Sequence, residues 1–123
     1  MNDPSKPVPV HVVLHKKSRT LELGYADGKH YHLPFEFLRV YSPSAEVRGH
    51  NPEQAVLQVG KRHVEITALD VVGHYALQPT FSDGHNTGIY SWGYLYQLAT
   101  EQTRRWQDYL DALAQAQAER NPP

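Results

Sequence analysis

A short polar segment before the middle of the chain holds the residues best suited to chemistry. Within nine positions it carries two hydroxyls, a carboxylate, a guanidinium and an imidazole, at Ser42, Ser44, Glu46, Arg48 and His50. One interpretation is an anion site, in which Arg48 forms paired hydrogen bonds and a serine donates at the start of a helix. The favoured alternative is a capping segment, in which Ser44 caps a helix while Glu46 and Arg48 face solvent.

Histidine is the second source of chemistry, with eight residues in the chain. His30 and His32 alternate in a predicted strand and so share one face, where they could chelate a metal. The Asp83–His85 turn adds a carboxylate and an imidazole. We favour structural or solvent-exposed histidines, because no His-Glu-x-x-His motif occurs and no His-x-x-x-His pair lies in a predicted helix. The sequence also lacks a nucleophile elbow, a P-loop and the dinucleotide glycine fingerprint.

The composition predicts one globular domain. The chain has 123 residues, 40% hydrophobic and 20% charged, a balance typical of a packed domain. Its formal net charge of −1 argues against nucleic-acid partners and against a membrane partner. The absence of cysteine excludes disulfides, thiolate catalysis and cysteine-bound metal.

We expect a flexible lead-in over residues 1–9, one domain over 10–114, and a flexible tail over 115–123. Because the first residues lack the apolar core of a signal peptide, a cytoplasmic location is expected.

Two hairpin-like units and two helical regions must position these residues. Alternating apolar residues predict strands on both sides of Asp27-Gly28 and of Asp83-Gly84, which are turns that favour hairpins. Both units can share one small antiparallel sheet. A short central helix is predicted near residues 34–48, and a long C-terminal helix near residues 91–118. The predicted fold class is therefore α+β.

The distal half of the C-terminal helix carries a strip of large apolar side chains, beyond a predicted break near Thr100. Trp106, Tyr109, Leu110 and Leu113 would form a large exposed patch unless something covers them. Two interpretations stay open at this point. The strip packs on the sheet of its own chain, or it pairs with a second chain in a homodimer.

Three segments carry a family resemblance. They are Leu38–His50 (LRVYSPSAEVRGH), Phe81–His85 (FSDGH) and Gly88–Leu95 (GIYSWGYL). Together they resemble the gamma-butyrobetaine-hydroxylase-like N-terminal domain family, long filed as a domain of unknown function. In the hydroxylases of that family, the domain precedes an oxygenase dependent on 2-oxoglutarate and iron, and it holds a structural zinc on three cysteines and one distant histidine. A related domain is appended to P-loop ATPases that carry iron–sulfur clusters.

The resemblance implies that the zinc site of the family is lost here. The three cysteine positions fall on Ser42, Ser44 and Val47, and the histidine position falls on His85. Serine is a poor zinc ligand and valine is none. No cofactor is therefore expected; if a metal binds, the first guess for its ligands is His85 with His30 or His32.

The expected function is that of a stand-alone, non-catalytic accessory domain that binds a protein, since no oxygenase domain follows in the sequence. The expected partner is an unidentified protein, with a component of an iron–sulfur or oxygenase system as one candidate. A metal-linked role, either iron or zinc binding or assistance to iron–sulfur assembly, is the alternative. A small enzyme using Arg48, Asp83 and His85 is the third and least favoured interpretation.

The expected binding surface joins the central segment to the second turn. In zinc-bearing relatives the metal connects these two regions, so they should lie close together here, held by hydrogen bonds from Ser42, Ser44 or Arg48. The full set of candidate surface residues is Ser42, Ser44, Arg48, His50, Asp83, His85 and Trp92.

Overall fold

The first hairpin-like unit folds as a three-stranded antiparallel sheet. The computed structural model describes residues 7–49, 51 and 54–122. Strands β1 (His11–His15), β2 (Thr20–Gly24) and β3 (His30–Pro34) pair in the order β1-β2-β3. The β2–β3 turn contains Gly28 at a φ of 86°, a backbone conformation that glycine adopts at no steric cost. The central strand alternates, with Leu21 and Leu23 buried, and so presents one face to the core and the other to solvent.

The second unit forms a sheet of its own. Strands β4 (Ile66–Val72), β5 (Ala76–Phe81) and β6 (Tyr90–Ser91) pair antiparallel in the order β4-β5-β6. The expected sharing of one sheet is therefore corrected to two three-stranded sheets. The helix that follows β6 contacts β3, so in the described residues the two units meet through helix packing and not through strand pairing. The α+β class, the two hairpin-like units and the long C-terminal helical region are confirmed.

Four helices complete the fold over the residues that the structure describes. The central region divides into α1 (Phe35–Val40) and α2 (Ala45–Arg48), and the C-terminal region into α3 (Trp92–Thr100) and α4 (Gln102–Ala116). The predicted break near Thr100 thus falls at Glu101. Hydroxyl caps fix two of the starts, because Ser44 Oγ accepts from the Glu46 N–H and Ser91 Oγ accepts from the Tyr94 N–H.

The main core lies where the two sheets meet α1 and α3. Both sheets contribute, with Leu23 and Leu33 from the first and Phe81 from the second. The helices add Phe37 and Leu98. In the described part of the chain, no helix combines the length and apolar content needed to cross a membrane.

The apolar strip of α4 is covered by its own chain. Tyr109 and Leu113 are buried in a second, smaller cluster with Val40 of α1. Arg120 then crosses the end of the strip, since its guanidinium lies 5.0 Å from the Trp106 ring centroid and forms two hydrogen bonds, at 2.9 and 2.8 Å, with the Glu36 carboxylate. The prediction of a homodimer rested on an uncovered apolar strip. Because contacts within the chain cover the strip, this reason no longer applies, and the homodimer itself stays a prediction. Arg120 belongs to the segment predicted as a flexible tail.

Candidate functional site

The central segment and the second turn meet through their side chains. Ser42, which follows α1, has its Oγ 2.8 Å from His85 Nε2, although 43 residues separate them in sequence. Two residues on, the Ser44 and Thr87 hydroxyls lie 2.7 Å apart. We call the group of Ser42, Ser44, Glu46, His85 and Thr87 the serine–histidine junction. The two segments lie close together and serine hydroxyls connect them, as expected. Ser42, Ser44 and His85 are buried, however, and so do not themselves present a binding surface.

His85 is held at both ring nitrogens. Its Nδ1 lies 3.1 Å from Glu46 Oε2, and a carboxylate can only accept, so Nδ1 carries the hydrogen. In the neutral ring Nε2 then accepts from the Ser42 hydroxyl, while the Ser42 oxygen accepts from the Ser44 N–H at 3.2 Å. Burial lowers the pKa of His85, the positive charge of Arg39 lowers it further, and Glu46 opposes both. The lowered pKa of His85 and the directions of its two hydrogen bonds therefore both favour a neutral ring.

Asp83 anchors the same turn from its other side. Its Oδ2 accepts from Arg39 Nε at 2.9 Å and from Lys61 Nζ at 2.6 Å, and its Oδ1 accepts from the His85 N–H at 3.2 Å. Burial alone would raise the pKa of Asp83, but the donors from Lys61, His85 and Arg39 outweigh it and lower the pKa to about 2. The sequence analysis did not assign Arg39 or Lys61 to the site, because both reach Asp83 only through long-range contacts, although Arg39 lies in a segment that carries the family resemblance.

The junction resembles the relay of a serine hydrolase in two of its contacts. A serine hydroxyl faces one imidazole nitrogen and a carboxylate faces the other, as in a nucleophile–base–acid triad. Ser42, however, is only 1% exposed, and a Cβ built on Gly88 would lie 2.5 Å from its Oγ. A substrate carbonyl cannot approach an oxygen enclosed in this way. Ser42 therefore serves as a cross-link between segments.

The residues at the zinc positions of the resembled family do not suit zinc in this chain. The Ser42 and Ser44 hydroxyls are each hydrogen-bonded to a side chain across the junction. Val47 offers only a buried apolar side chain, and His85 is the sole imidazole of the set. Two hydroxyls, one imidazole and an aliphatic group do not form the four-donor shell of a structural zinc. We derive no role for zinc at this position.

The remaining candidate surface residues are dispersed. Arg48 stacks over Tyr94, with its guanidinium carbon 4.8 Å from the ring centroid. Trp92 is part of the main core, where its indole N–H donates to the His74 carbonyl at 2.7 Å, so it contributes no surface to the junction. His50 lies outside the described residues.

A groove of about 370 Å³ opens beside the junction, between α2 and α4. Ser42 of the junction and the neighbouring Val47 belong to the groove wall. Arg48 and Arg105 bring positive charge and Asp108 brings negative charge, and Arg105 already pairs with Glu101 at 2.9 Å. The lining is otherwise mainly aliphatic and aromatic and includes Val40, Tyr41, Val56, Leu57, Tyr94 and Tyr109. The groove can therefore accept apolar side chains, and Arg48 at its rim can attract a negative charge beside them.

The structure does not bring His85 to the other two histidines of the metal guess. His30 and His32 lie on the solvent face of the first sheet, where both contact Glu22. His85 is engaged by Ser42 and Glu46 in the junction. The structure therefore corrects the expectation that His85 binds a metal together with His30 or His32, because these histidines lie in two separate regions.

Comparisons with known proteins match this architecture closely. The model of a family described as gamma-butyrobetaine hydroxylase-like, N-terminal, matches residues 12–96. One NMR solution structure is similar at 49% identity, covering 96% of this chain and 93% of its own, with a TM-score of 0.83. A second NMR structure shows 46% identity, coverages of 99% and 92%, and a TM-score of 0.81.

A crystal structure from Acidithiobacillus ferrooxidans adds a third relative. It is a protein of unknown function assigned to the DUF971 family, with 41% identity, coverage of 80% of this chain and 98% of its own, and a TM-score of 0.63. No functionally curated protein matches the chain.

Proposed function

Because the chain belongs to the gamma-butyrobetaine hydroxylase-like N-terminal domain family, we propose that it is a non-catalytic accessory domain that binds a partner protein. The observation that carries this proposal is the groove between α2 and α4, which has an apolar wall and a cation at its rim. The junction supports the groove, because Ser42 is tied across to His85 while also forming part of the wall.

The proposed occupant is a segment of another protein that combines apolar side chains with a carboxylate. Val56 is 55% exposed at the edge of the groove and is therefore accessible to a bound segment. In the described part of the chain no carboxylate pairs with Arg48, which rests on the Tyr94 ring. A carboxylate bound there would form charge-assisted hydrogen bonds, each worth about 1.5–3 kcal/mol. The expected partner is an unidentified protein, with a component of an iron–sulfur or oxygenase system as one candidate, and the groove adds the chemistry that such a partner must offer.

A displayed library of random linear peptides tests the proposal. The full chain serves as bait, and enriched peptides are measured by fluorescence anisotropy against the wild type, Arg48→Ala and Val56→Asp. Arg62→Ala is the matched control, because Arg62 is also an exposed arginine but lies outside the groove. We expect enriched peptides to pair Asp or Glu with large apolar residues.

Binding should weaken at least about tenfold in Arg48→Ala and in Val56→Asp, which corresponds to about 1.4 kcal/mol or more. Arg62→Ala should bind within twofold of the wild type. Peptides that bind all variants equally, or that show no acidic preference, would contradict the groove as the docking surface. The melting temperature of each variant separates lost binding from lost folding.

The Ser42–His85–Glu46 arrangement defines the catalytic alternative to test, a small acyl-transfer enzyme, although the burial of Ser42 argues against it. A panel of p-nitrophenyl esters, from acetate to octanoate, tests it against a Ser42→Ala variant. The burial of Ser42 predicts that the wild type turns over no ester faster than the variant does. Wild-type turnover that Ser42→Ala abolishes would favour the enzyme and overturn the non-catalytic proposal.

A further inference from the structure

Four of the eight histidines lie on one face of the first sheet. Side chains alternate between faces along a strand, so the residues paired with Glu22 and Gly24 share the face that Leu21 and Leu23 do not. His11 and His30 flank Gly24 from the two neighbouring strands, and His32 lies directly opposite Glu22. We call the group of His11, His15, Glu22, His30 and His32 the histidine face.

Three donor atoms from three different strands converge on this face. His15 Nε2 lies 2.7 Å from Glu22 Oε1, and His32 Nε2 lies 3.6 Å from the same oxygen. One donor atom from each of these residues lies within 4.8 Å of the other two. The His15 and His32 rings stand side by side, with centroids 5.9 Å apart. Hydrogen-bonded sheet strands hold this spacing, so the three donors are positioned before any ligand arrives.

A fourth residue orients the carboxylate. His30 Nδ1 lies 2.8 Å from Glu22 Oε2, the oxygen that faces away from His15 and His32. Gly24 makes room for this ring, because a Cβ at that position would lie 2.9 Å from His30 Cε1 and 3.1 Å from His11 Cδ2. His30 therefore acts as the outer partner that commonly fixes a metal-binding carboxylate.

We propose that His15, Glu22 and His32 form a binding site for a divalent first-row transition metal such as Zn²⁺. Two imidazoles and one carboxylate are a donor set that these ions accept in proteins. A tetrahedral ion bound at about 2.0–2.1 Å places its donors about 3.3 Å apart, so small side-chain rotations suffice to close the site. When the ion binds, each ring offers Nε2 and keeps its hydrogen on Nδ1.

The site is open on its outer side. The side chains of His15 and His32 are 39% and 54% exposed, which gives an ion a direct path from solvent. Water, or a donor group of a bound protein, fills the remaining coordination positions. The inference is independent of the proposed groove, whose walls come from the helices and the central segment.

Calorimetric titration of the full chain with Zn²⁺ tests the site, together with NMR of the histidine ring nitrogens. The variants are His32→Gln and Glu22→Gln in the ligand set, and His30→Gln beside it. His74→Gln is the matched control, because His74 is also exposed but lies in the turn between β4 and β5. Thermal melting of each variant without metal separates lost binding from lost folding, which matters most for Glu22→Gln because the Glu22 side chain is only 19% exposed.

We expect one saturable Zn²⁺ per chain. The affinity should fall at least about thirtyfold in His32→Gln and Glu22→Gln and about tenfold in His30→Gln, since an outer partner contributes less than a ligand. His74→Gln should bind within twofold of the wild type, and the Nε2 signals of His15 and His32 should shift together. Absence of saturable binding, or binding that survives in the ligand variants or fails equally in His74→Gln, would overturn the proposal.

Discussion

Two regions of this domain pair imidazoles with a carboxylate, and burial separates what they can do. In the serine–histidine junction, His85 is 7% exposed and both its ring nitrogens bind groups of the same chain. On the histidine face, the three rings near Glu22 are 39–54% exposed. A buried ring cannot exchange its partners without leaving polar groups unsatisfied, whereas an exposed ring exchanges them with water at little cost. The first region is therefore a cross-link and the second a site that can accept a ligand.

The two regions also favour different charge states. The hydrogen bond from His15 to Glu22, followed by that from His30, lowers the pKa of Glu22, so its environment on the sheet surface favours the charged form. In the junction, burial acts first on the imidazole and lowers the pKa of His85, which favours the neutral form. The histidine face therefore favours a charged carboxylate at the surface, whereas the junction favours an uncharged imidazole in the interior.

The largest expected effect comes from deleting the buried ring. His85→Ala leaves the Ser42 hydroxyl without its partner and opens a cavity, which should lower the free energy of unfolding by about 2–4 kcal/mol. His32→Ala on the histidine face should change it by less than about 0.5 kcal/mol. Urea unfolding of both variants measures the contrast. Equal losses would show that burial does not distinguish the two regions.

A smaller effect is expected from crowding the junction. The Cβ of Gly88→Ala would meet Ser42 Oγ at 2.5 Å, and overpacking of this kind costs about 1–3 kcal/mol. Ser42→Ala removes the opposing oxygen, so the double variant should lose less stability than the sum of the two single variants. A double-mutant cycle in urea measures that coupling. Strict additivity would contradict the close approach of Gly88 to Ser42.

Local patterns predict much of this fold, and long-range pairing explains what they miss. The two Asp-Gly turns and the alternating strands are local signals, so both hairpin-like units follow from them. The number of sheets depends on which strands pair over long range, which no local pattern contains. Similarly, alternation predicts that His30 and His32 share a face, but only the strand register adds Glu22 opposite His32.

The sequence likewise predicts one contact of the candidate site and misses its other partners. The approach of Ser42 to His85 follows from the family resemblance, since the metal of the relatives links the same two segments. The partners Arg39 and Thr87 do not follow, because contacts across 43 or 44 residues leave no trace in spacing or composition. The role of Glu46 was missed for another reason. Its side chain is 64% exposed, as expected for a solvated residue, yet it also reaches His85.

Acid should weaken the junction through Asp83. Its pKa lies at about 2 in the folded chain against an ordinary 3.8, so the folded state holds the charged form more strongly. The resulting stabilisation is complete above about pH 4 and is lost as the pH falls toward 2. Because the side chain is 26% exposed, we expect a contribution on the order of 1–2 kcal/mol.

Urea unfolding between pH 2 and 5 measures this contribution, with Asp83→Asn compared against Asp70→Asn. Asp70 is an exposed strand residue and serves as the control. The stability difference between the wild type and Asp83→Asn should shrink as the pH falls, while that for Asp70→Asn stays flat. A constant difference across the range would contradict ionic anchoring of the turn by Arg39 and Lys61.

The smallest expected effect is that of a chelator, and it separates the two regions most directly. Hydrogen bonds at Ser42 and Ser44 connect the segments that a metal connects in the zinc-bearing relatives, so no stability should depend on zinc in the junction. We expect dialysed protein, purified without chelator, to carry no stoichiometric zinc by elemental analysis, because the solvent-exposed histidine face exchanges its ion with the buffer. Its melting temperature should be unchanged by EDTA. Added Zn²⁺ should instead raise the melting temperature slightly by mass action at the histidine face, and Glu22→Gln should abolish that rise.

One tightly held zinc per chain, with unfolding on chelation, would show that the junction retains a metal despite its serines. A Zn²⁺ shift of the His85 ring nitrogens would lead to the same conclusion, because His85 lies in the junction and not on the histidine face.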